Sequence, residues 1–221
     1  MKIPAMTKTY GKRIVADTPE LVLESGRITA VIGPNGSGKS TFSRMAAGVL
    51  APDDRHTAFE KDRTVRYMPQ KSYPFRMSVR QNIMLSGGEP ARAEKMMEAL
   101  GLDGLLHQRI RSLSGGETAK IAFIRVLMKP CDLLILDEPT AAMDMESAIT
   151  SERLLKDYLE ETGCSVLLVT HDLQQARRLA DDALFFYQGK LCERGSAAKV
   201  LFEPDDEVTR RFLNYYGSSK G

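Results

Sequence analysis

The most informative segment of this chain is Gly33-Pro34-Asn35-Gly36-Ser37-Gly38-Lys39-Ser40-Thr41. Glycine has no Cβ and accepts positive φ, so Gly33, Gly36 and Gly38 let backbone N–H groups wrap closely round an anion. Lys39 adds a point charge, and the Ser40 hydroxyl is a hard oxygen ligand of the kind that Mg²⁺ prefers. The pattern G-x-x-x-x-G-K-[ST] is matched at every position and predicts a loop that binds the phosphates of a nucleoside triphosphate together with Mg²⁺.

The residues on either side of this loop support the prediction. Residues 27–32 form an apolar run typical of a strand, and a helix-like stretch continues from the loop to about Gly48. A helix that begins near Lys39 directs its N-terminal N–H groups and the positive end of its dipole at bound phosphates. A chance glycine-rich turn is the alternative, and it explains neither the preceding strand nor the following helix.

Strands and helices alternate along most of the chain, and residues 2–32 are predicted to be rich in strands. The further predicted strands are residues 65–67, 131–137 and 165–170, and the predicted helices are residues 77–85, 92–100, 114–128, 146–161, 173–180 and a tail at 196–216. Solid apolar runs fit strands buried on both faces, so the fold class is predicted to be α/β with a mostly parallel sheet. Residues 71–113 are predicted to form a small helical insert. Arg66 and Pro69 place the strand at 65–67 near an edge or an end of the sheet.

A second chemical feature is the apolar strand Leu133-Leu134-Ile135-Leu136, which ends in Asp137 and Glu138. Successive strand residues point to opposite sides, so the two carboxylates are expected to have different roles. One would hold the Mg²⁺ shell, and the other would reach the water that attacks the γ-phosphate. Acidic residues also end buried strands simply because chain ends meet solvent, and it is the phosphate loop upstream that favours the functional interpretation.

Composition excludes several classes of protein. The chain carries 31 Lys and Arg against 29 Asp and Glu, so no basic excess indicates nucleic-acid binding. Cys131, Cys164 and Cys192 are far apart in sequence and are predicted to be reduced thiols rather than a disulfide framework or a metal site. The N-terminus lacks the apolar core of a signal peptide, and no apolar run approaches the roughly 20 residues of a membrane span. Any membrane role is therefore expected to come through a partner protein.

Residues Leu113-Ser114-Gly115-Gly116-Glu117 resemble the signature motif that separates the ABC ATPases from other phosphate-loop proteins. The phosphate loop, this motif, the acidic strand, Asp144 and His171 occur in the family's order, and the resemblance covers nearly the whole chain. It implies one ABC ATPase domain over residues 1–221: an α/β P-loop NTPase core with an N-terminal antiparallel β part, the helical insert and a short helical tail at about 196–221. It also implies ATP and Mg²⁺ as cofactors.

The resemblance gives each matching position a role. The residues implied to contact ATP are Gly33, Pro34, Asn35, Gly36, Ser37, Gly38, Lys39, Ser40, Thr41, Tyr10, Ser114, Gly115, Gly116 and Asp144. Those implied to hold Mg²⁺ are Ser40, Gln70 and Asp137. Glu138 is implied to be the catalytic carboxylate that orients or deprotonates water, Gln70 also contacts that water, and His171 contacts the γ-phosphate. Tyr10 would stack on adenine, although a single aromatic residue near an N-terminal strand, taken alone, is more often a packing residue.

Three features depart from the family pattern. The signature continues Thr118-Ala119-Lys120 without the usual glutamine and arginine, and Lys120 is the candidate for the basic role. The stretch from Gly48 to Gln70 is shorter than in most relatives, and Met143 stands where leucine is commoner. None of these changes removes a catalytic group, but they leave the adenine and ribose contacts open.

Residues 114–116 open a predicted helix and so form a second anion-binding helix terminus. In the family this terminus meets the ATP held by another subunit, which implies a head-to-tail homodimer or heterodimer that closes over two ATP molecules. The resemblance also implies integral membrane permease subunits, an extracytoplasmic solute-binding protein and a place on the cytoplasmic face of the membrane. Tyr73, Pro74, Phe75 and Met77 would either dock the permease or fill the insert's own small core.

Three functions are compatible with these motifs. Residues 136–140, 172–181 and 201–204 resemble small importer ATPases of the phosphate and tungstate type, which favours a subunit that drives import of an oxyanion such as tungstate. An ATPase of an export or lipoprotein-release system is the alternative. A soluble ABC ATPase acting on ribosomes or DNA is disfavoured because the chain has one ATPase motif set, no long coiled coil and no basic patch.

Overall fold

The computed structural model describes residues 1–54, 63–71 and 74–217, so Tyr73 and the end of the predicted tail lie outside the described residues. The strands are β1 (Lys2–Ile3), β2 (Met6–Tyr10), β3 (Arg13–Thr18), β4 (Leu21–Val22), β5 (Ile28–Ile32), β6 (Val65–Met68), β7 (Leu133–Asp137), β8 (Ser165–Val169), β9 (Asp182–Tyr187) and β10 (Lys190–Ser196). The helices are α1 (Lys39–Ala46), α2 (Val79–Met84), α3 (Pro90–Ala99), α4 (Gly115–Leu127), α5 (Met145–Thr162), α6 (Leu173–Leu179), α7 (Ala197–Phe202) and α8 (Glu207–Gly217), with a 3₁₀ turn at Ile110–Ser112. The strands and helices predicted between residues 65 and 180 are all present, with ends within two residues of the prediction.

The centre of the fold is an eight-stranded sheet in the order β2-β3-β10-β9-β5-β8-β7-β6. Strands β6, β7, β8, β5 and β9 form an unbroken parallel series, and the β2–β3 and β9–β10 pairs are antiparallel. Strands β1 and β4 form a separate antiparallel pair. The α/β class, the mostly parallel sheet and the N-terminal antiparallel part are therefore confirmed. Strand β6 is at the sheet edge, as Arg66 and Pro69 predicted.

The parallel strands carry the candidate site residues to one edge of the sheet. Gly33 directly follows β5, Gln70 follows β6, Asp137 ends β7 and His171 follows β8. The carboxyl ends of parallel strands meet at the same edge, which is where ligands bind in open α/β sheets. This topology brings together residues that are more than a hundred positions apart in sequence.

Both faces of the central strands are buried, as their solid apolar runs predicted. In β7, Leu133 and Ile135 pack in the core that contains the apolar side chains of α1. Leu134 and Leu136 pack on the opposite face, in the core formed by α4, α5 and the helical insert. The alternation of side chains along a strand thus fixes which helix covers which face.

The antiparallel hairpin β9–β10 was missed in the sequence analysis. Its turn contains Gln188 and Gly189, both at positive φ, which is the backbone conformation that tight hairpin turns require. Phe185 and Phe186 of β9 are fully buried, on opposite faces of the sheet. The tail is also more elaborate than predicted, because α7 and α8 are two helices that pack against Phe185 and its neighbours.

The helical insert consists of α2, α3 and the 3₁₀ turn, and it shares one apolar core with α4 and α5. Within the described ranges, no helix combines the length and apolar character that a membrane crossing requires. The cysteines are free thiols: Cys131 and Cys164 are buried, and Cys192 is exposed.

Candidate nucleotide site

The phosphate loop requires glycine at three positions for identifiable reasons. Gly33, Gly36 and Gly38 have φ of 143°, 74° and 108°, which other residues rarely adopt. A Cβ on Gly33 would lie 2.1 Å from the Phe186 carbonyl oxygen, and one on Gly38 would lie 2.2 Å from that of Val15. The loop therefore passes so close to its neighbours that a side chain at Gly33 or Gly38 would displace them.

The hairpin β9–β10 packs against the phosphate loop. Phe186 in β9 approaches Gly33, and the N–H of Gly189 in the hairpin turn donates a hydrogen bond of 2.9 Å to the carbonyl of Ser37. The element that the sequence analysis missed is thus part of the site's framework. The Gln188-Gly189 pair between two β-type runs is the signal that could have revealed it.

Lys39 is held inside the loop rather than extended into solvent. The residue is 7% exposed, and its Nζ donates hydrogen bonds to the carbonyl oxygens of Gly33 at 2.8 Å and Pro34 at 3.0 Å. Burial lowers the pKa of Lys39, and the nearby Glu138 and Asp137 carboxylates oppose that shift. The loop therefore concentrates a fixed positive charge at the edge of the sheet, suited to an anionic ligand.

The loop also contains a buried hydroxyl with unused hydrogen-bonding capacity. Ser37 is 2% exposed, and within the described part of the chain its Oγ has no hydrogen-bond partner. A buried unpaired hydroxyl is unfavourable unless a ligand or water completes it. The glycine-lined wrap, the Lys39 ammonium and this hydroxyl together fit a bound polyphosphate.

Asp137 lies beside the loop, in contact with Ser40, and it is almost completely buried, at 1% exposure. Its Oδ1 accepts a hydrogen bond from the Ser40 hydroxyl at 3.2 Å, and its Oδ2 accepts one from Ser43 at 3.3 Å. The Tyr67 hydroxyl lies 3.5 Å from Oδ2. Burial raises the pKa of Asp137, and the hydrogen bonds from Ser40 and Ser43 oppose the shift.

This arrangement fits Mg²⁺ by the chemistry of its donors. Ser40 and Asp137 present two hard oxygen donors 3.2 Å apart beside the phosphate loop. Mg²⁺ is commonly bound through one or two carboxylates plus substrate phosphates, with water completing the shell. The residues that the structure describes contain no cluster of three or more His, Cys, Asp or Glu side chains able to hold a metal by themselves. A metal here would depend on the nucleotide for its remaining ligands.

The position of Glu138 corrects one step of the sequence reasoning. Glu138 does not continue β7 on the opposite face; it follows the strand with φ of 54°, and its N–H donates to the Val169 carbonyl at 2.9 Å. A left-handed non-glycine residue is uncommon and is often found at functional sites. The two acids therefore diverge because the backbone turns after Asp137, not because strand side chains alternate.

Glu138 is paired with His171. Its side chain is 9% exposed, and its Oε2 lies 2.7 Å from Nδ1 of His171, whose side chain is 63% exposed. Burial raises the pKa of Glu138, and the hydrogen bond from His171 opposes that shift. A buried carboxylate with a raised pKa is a better proton acceptor, and the imidazole fixes its orientation.

The signature motif begins helix α4 with a capping box. Ser114 Oγ accepts from the Glu117 N–H at 3.2 Å, and Glu117 Oε2 accepts from the Ser114 N–H at 2.7 Å. These bonds to Ser114 lower the pKa of Glu117, so the cap is stabilised by an ionised carboxylate. A Cβ on Gly116 would lie 3.0 Å from the Ala142 carbonyl oxygen, a tight contact that favours glycine at this position.

Gln70, Gly115 and Glu138 line one cleft of about 440 Å³ at the sheet edge. Gln70 is exposed, and so are Ser114 and Gly115. The structure thus brings the predicted glutamine and the start of the signature helix to the same opening as the catalytic candidate. Their predicted contacts with Mg²⁺ and nucleotide remain predictions.

The remaining predicted residues lie at the margins of the site. Tyr10 ends β2 with 59% exposure, which disfavours packing as its role and leaves adenine stacking a prediction. Asp144 caps helix α5 by accepting from the N–H and Oγ of Ser147, both at 2.8 Å. Lys120 lies 3.6 Å from Asp144 and donates to the Leu100 carbonyl at 3.1 Å, so its ammonium lies between the N-cap of α5 and the end of α3.

The chain matches the family model described as ABC transporter over residues 17–141, which include the phosphate loop, the signature and the acidic strand. The chain belongs to the ABC transporter family. It is 36% identical over 206 residues to the zinc import ATP-binding protein of Chelativorans sp., covering 91% of this chain and 70% of that protein. It is 34% identical to the tungstate uptake ATP-binding protein of Peptoclostridium acidaminophilum, covering 85% of this chain and 94% of that protein.

Solved structures of ABC proteins have the same fold. The structure described as an ATP-binding subunit of an ABC transporter superposes with a TM-score of 0.80 at 20% identity, covering 98% of this chain and 94% of that one. A dimeric bacterial ABC transporter cassette superposes with a TM-score of 0.77 at 23% identity, covering 89% of this chain and 98% of that one. The family resemblance and the fold class predicted from the sequence are both confirmed.

Proposed function

We propose that this chain is the ATP-hydrolysing subunit of an ABC importer. The observation that carries the proposal is the placement of Glu138, paired with His171, at the same sheet edge as Lys39 and Asp137. This edge supplies a phosphate cradle, hard oxygen donors and a buried base. The similarity to ATP-binding subunits of importers supports the direction of transport.

Each residue has a distinct chemical task in this proposal. Ser40 and Asp137 would hold Mg²⁺, which neutralises phosphate charge when bound. Lys39 and the loop N–H groups would bind the phosphates and stabilise the charge that develops on them. Glu138 would orient the attacking water and accept its proton, with His171 keeping the carboxylate in place. Catalysis of this kind consists mainly of positioning and charge stabilisation.

The site is proposed to be completed by a second copy of the chain or by a paired ATPase subunit. The first N–H groups of an α-helix have no partner within the helix, and α4 presents this end at exposed Ser114 and Gly115. In the proposed head-to-tail pair, this end of one subunit meets the nucleotide held by the other. ATP would then favour the closed pair and hydrolysis would release it, which is the differential affinity needed to drive a partner's change in conformation.

Permease docking is proposed at the helical insert, close in sequence to Gln70. The backbone of Phe75 is fixed by fully buried Asn82, which accepts from its N–H at 2.9 Å and donates to its carbonyl at 3.0 Å. Phe75 is nevertheless 56% exposed, which supports docking over packing within the insert. The Phe75→Ala change should preserve basal ATPase activity and abolish its stimulation by the permease. Leu85→Ala, at a residue 51% exposed in the same insert, is the matched control.

We propose an oxyanion such as tungstate as the cargo, with the complex on the cytoplasmic face of the membrane and an extracytoplasmic solute-binding protein as a further partner. Relatives named for tungstate and phosphate import support an oxyanion, whereas the zinc relatives favour a metal cation. The permease and binding protein that co-purify with the tagged chain, followed by binding assays with tungstate, phosphate and zinc, distinguish these cargoes. Selective binding of zinc would contradict the oxyanion proposal.

The hydrolytic role is tested with Glu138→Gln. We expect Mg-ATP to bind with near wild-type affinity and phosphate release to fall by about 10²–10⁴-fold, the usual contribution of a general base. Equilibrium binding and phosphate release should be measured on the same preparation. Normal turnover by this variant would show that Glu138 is not the catalytic carboxylate.

A further inference from the structure

Ser43 is a polar residue at an apolar position. It lies on α1, one turn after Ser40, and it is fully buried. Its helical neighbours Phe42 and Met45 are also fully buried and pack in the apolar core beneath the sheet. Serine is a poorer helix former than alanine, and a buried hydroxyl must be hydrogen-bonded to be tolerated.

The Ser43 hydroxyl has two acceptors within reach. It lies 3.1 Å from the Ser40 carbonyl oxygen, one turn back, and 3.3 Å from Oδ2 of Asp137. The contact with Ser40 would satisfy the hydroxyl locally, as buried helical serines often are. The contact with Asp137 instead joins α1 to the end of β7, and it is the one that reaches the candidate site.

The two oxygens of Asp137 consequently have different surroundings. Oδ1 faces the hydroxyl of Ser40, the loop residue expected to bind metal, at 3.2 Å. Oδ2 faces Ser43 of α1 at 3.3 Å and Tyr67 of β6 at 3.5 Å. One oxygen thus contacts a residue that would hold Mg²⁺, and the other contacts hydroxyl groups of α1 and β6.

We propose that Ser43, assisted by Tyr67, is a positioning residue that fixes the Asp137 carboxylate for Mg²⁺. This inference rests on the proposed function, because it assumes that Mg²⁺ binds between Ser40 and Asp137. If the Ser40 hydroxyl served as a Mg²⁺ ligand, Oδ1 of Asp137 would lose that donor, and the contacts at Oδ2 would keep the carboxylate from rotating. Outer contacts of this kind set the orientation of a ligand, and their loss typically lowers metal affinity 10–100-fold.

The test is a Mg²⁺ titration of nucleotide binding with Ser43→Ala and Tyr67→Phe. The binding of a fluorescent ATP analogue is measured without Mg²⁺ and over a series of Mg²⁺ concentrations. For Ser43→Ala we expect the Mg²⁺ concentration at half-saturation to rise about tenfold, while affinity in the absence of Mg²⁺ stays unchanged. Tyr67→Phe, which loses a longer contact, should shift in the same direction by a smaller factor.

Ser165→Ala is the matched control. Ser165 is 1% exposed and donates to the Glu24 carbonyl at 3.0 Å, at the opposite end of the sheet, so it tests for the general effect of removing a buried serine hydroxyl. A Mg²⁺ dependence in Ser43→Ala equal to that of wild type and of Ser165→Ala would overturn the inference. If Ser43→Ala does not fold, an unshifted titration of Tyr67→Phe would overturn it. If nucleotide binding by the wild-type protein did not depend on Mg²⁺, the proposed function would be overturned instead. Failure of the Ser43 inference and failure of the proposed function are therefore distinguishable.

Discussion

The Gly33→Ala change tests most sharply whether the phosphate loop and the β9–β10 hairpin form one tightly packed unit. The new Cβ would lie 2.1 Å from the Phe186 carbonyl oxygen, against an ordinary contact of roughly 3.5 Å. Relieving such an overlap costs about 1–3 kcal/mol, as overpacking in cores does. Holding alanine at the φ of 143° observed for Gly33 costs about 1–3 kcal/mol more. The expected loss of unfolding free energy is therefore about 2–6 kcal/mol.

Urea unfolding followed by circular dichroism is the appropriate assay, because the chain has no tryptophan to report on unfolding. Gly48→Ala is the control, since Gly48 also has a positive φ, of 70°, but no atom lies within 4 Å of a new Cβ. We expect the control to lose only about 1–2 kcal/mol, the cost of a left-handed alanine. Equal losses in the two variants would refute the claim that Gly33 is required by its close approach to β9. Nucleotide binding should be impaired in Gly33→Ala alone.

Two further predictions concern buried acidic groups. Burial raises the pKa of Glu138 in the native state. At pH values between the unfolded pKa of about 4.3 and this higher native pKa, the native state keeps a proton that the unfolded state has lost. The free energy of unfolding should therefore fall as the pH rises through this interval. Glu138→Gln should therefore melt at a higher temperature than wild type at neutral pH, and this difference should disappear in acid. Equal melting temperatures of the two proteins at both pH values would contradict a raised pKa for Glu138. Arg178→Ala should lower the unfolding free energy by about 1–3 kcal/mol, because it leaves the Glu152 carboxylate, 8% exposed, without its bidentate partner. The control is Arg211→Ala, which removes an exposed ion pair with Glu207 within helix α8. It should change the free energy of unfolding by less than about 0.5 kcal/mol, measured by urea titration. Similar losses for Arg178→Ala and Arg211→Ala would show that the buried Glu152 carboxylate does not depend on Arg178.

The central sheet was predictable because its strands are apolar on both faces. Runs such as residues 133–136 and 165–169 cannot be amphipathic surface elements, and they alternate with helical segments, which requires parallel crossovers. Strand β10 escaped this reasoning because it is mostly exposed and carries no continuous apolar run. Strand β9 does carry such a run at residues 183–187, so the same rule could have revealed it. The stability of β10 comes from pairing with β9 and from the buried phenylalanines of that strand, which are tertiary features.

The candidate site was predictable to the extent that its residues lie in short motifs. The phosphate loop and the acidic strand end are each contained within nine residues or fewer, so their functions can be predicted from the sequence alone. The contacts of Asp137 with Ser43 and Tyr67 were not foreseen, because they join residues from three separate elements. The turn at Glu138 was also not predicted. A positive φ in a non-glycine residue is imposed by the surrounding structure, and the residue type does not indicate it.

In the proposed dimer, the phosphate loop of one subunit and the start of α4 in another together enclose ATP. The most direct measurement is sedimentation of Glu138→Gln, which should bind ATP without consuming it, in the presence and absence of Mg-ATP. We expect a 24.6 kDa species without nucleotide and a species of twice that mass with Mg-ATP. A Ser114→Arg change added to this variant should leave binding intact and prevent the doubling. The proposed dimer would be contradicted by two results together. These are a Glu138→Gln protein that remains a monomer at saturating Mg-ATP and a wild-type chain that hydrolyses ATP at full rate as a monomer.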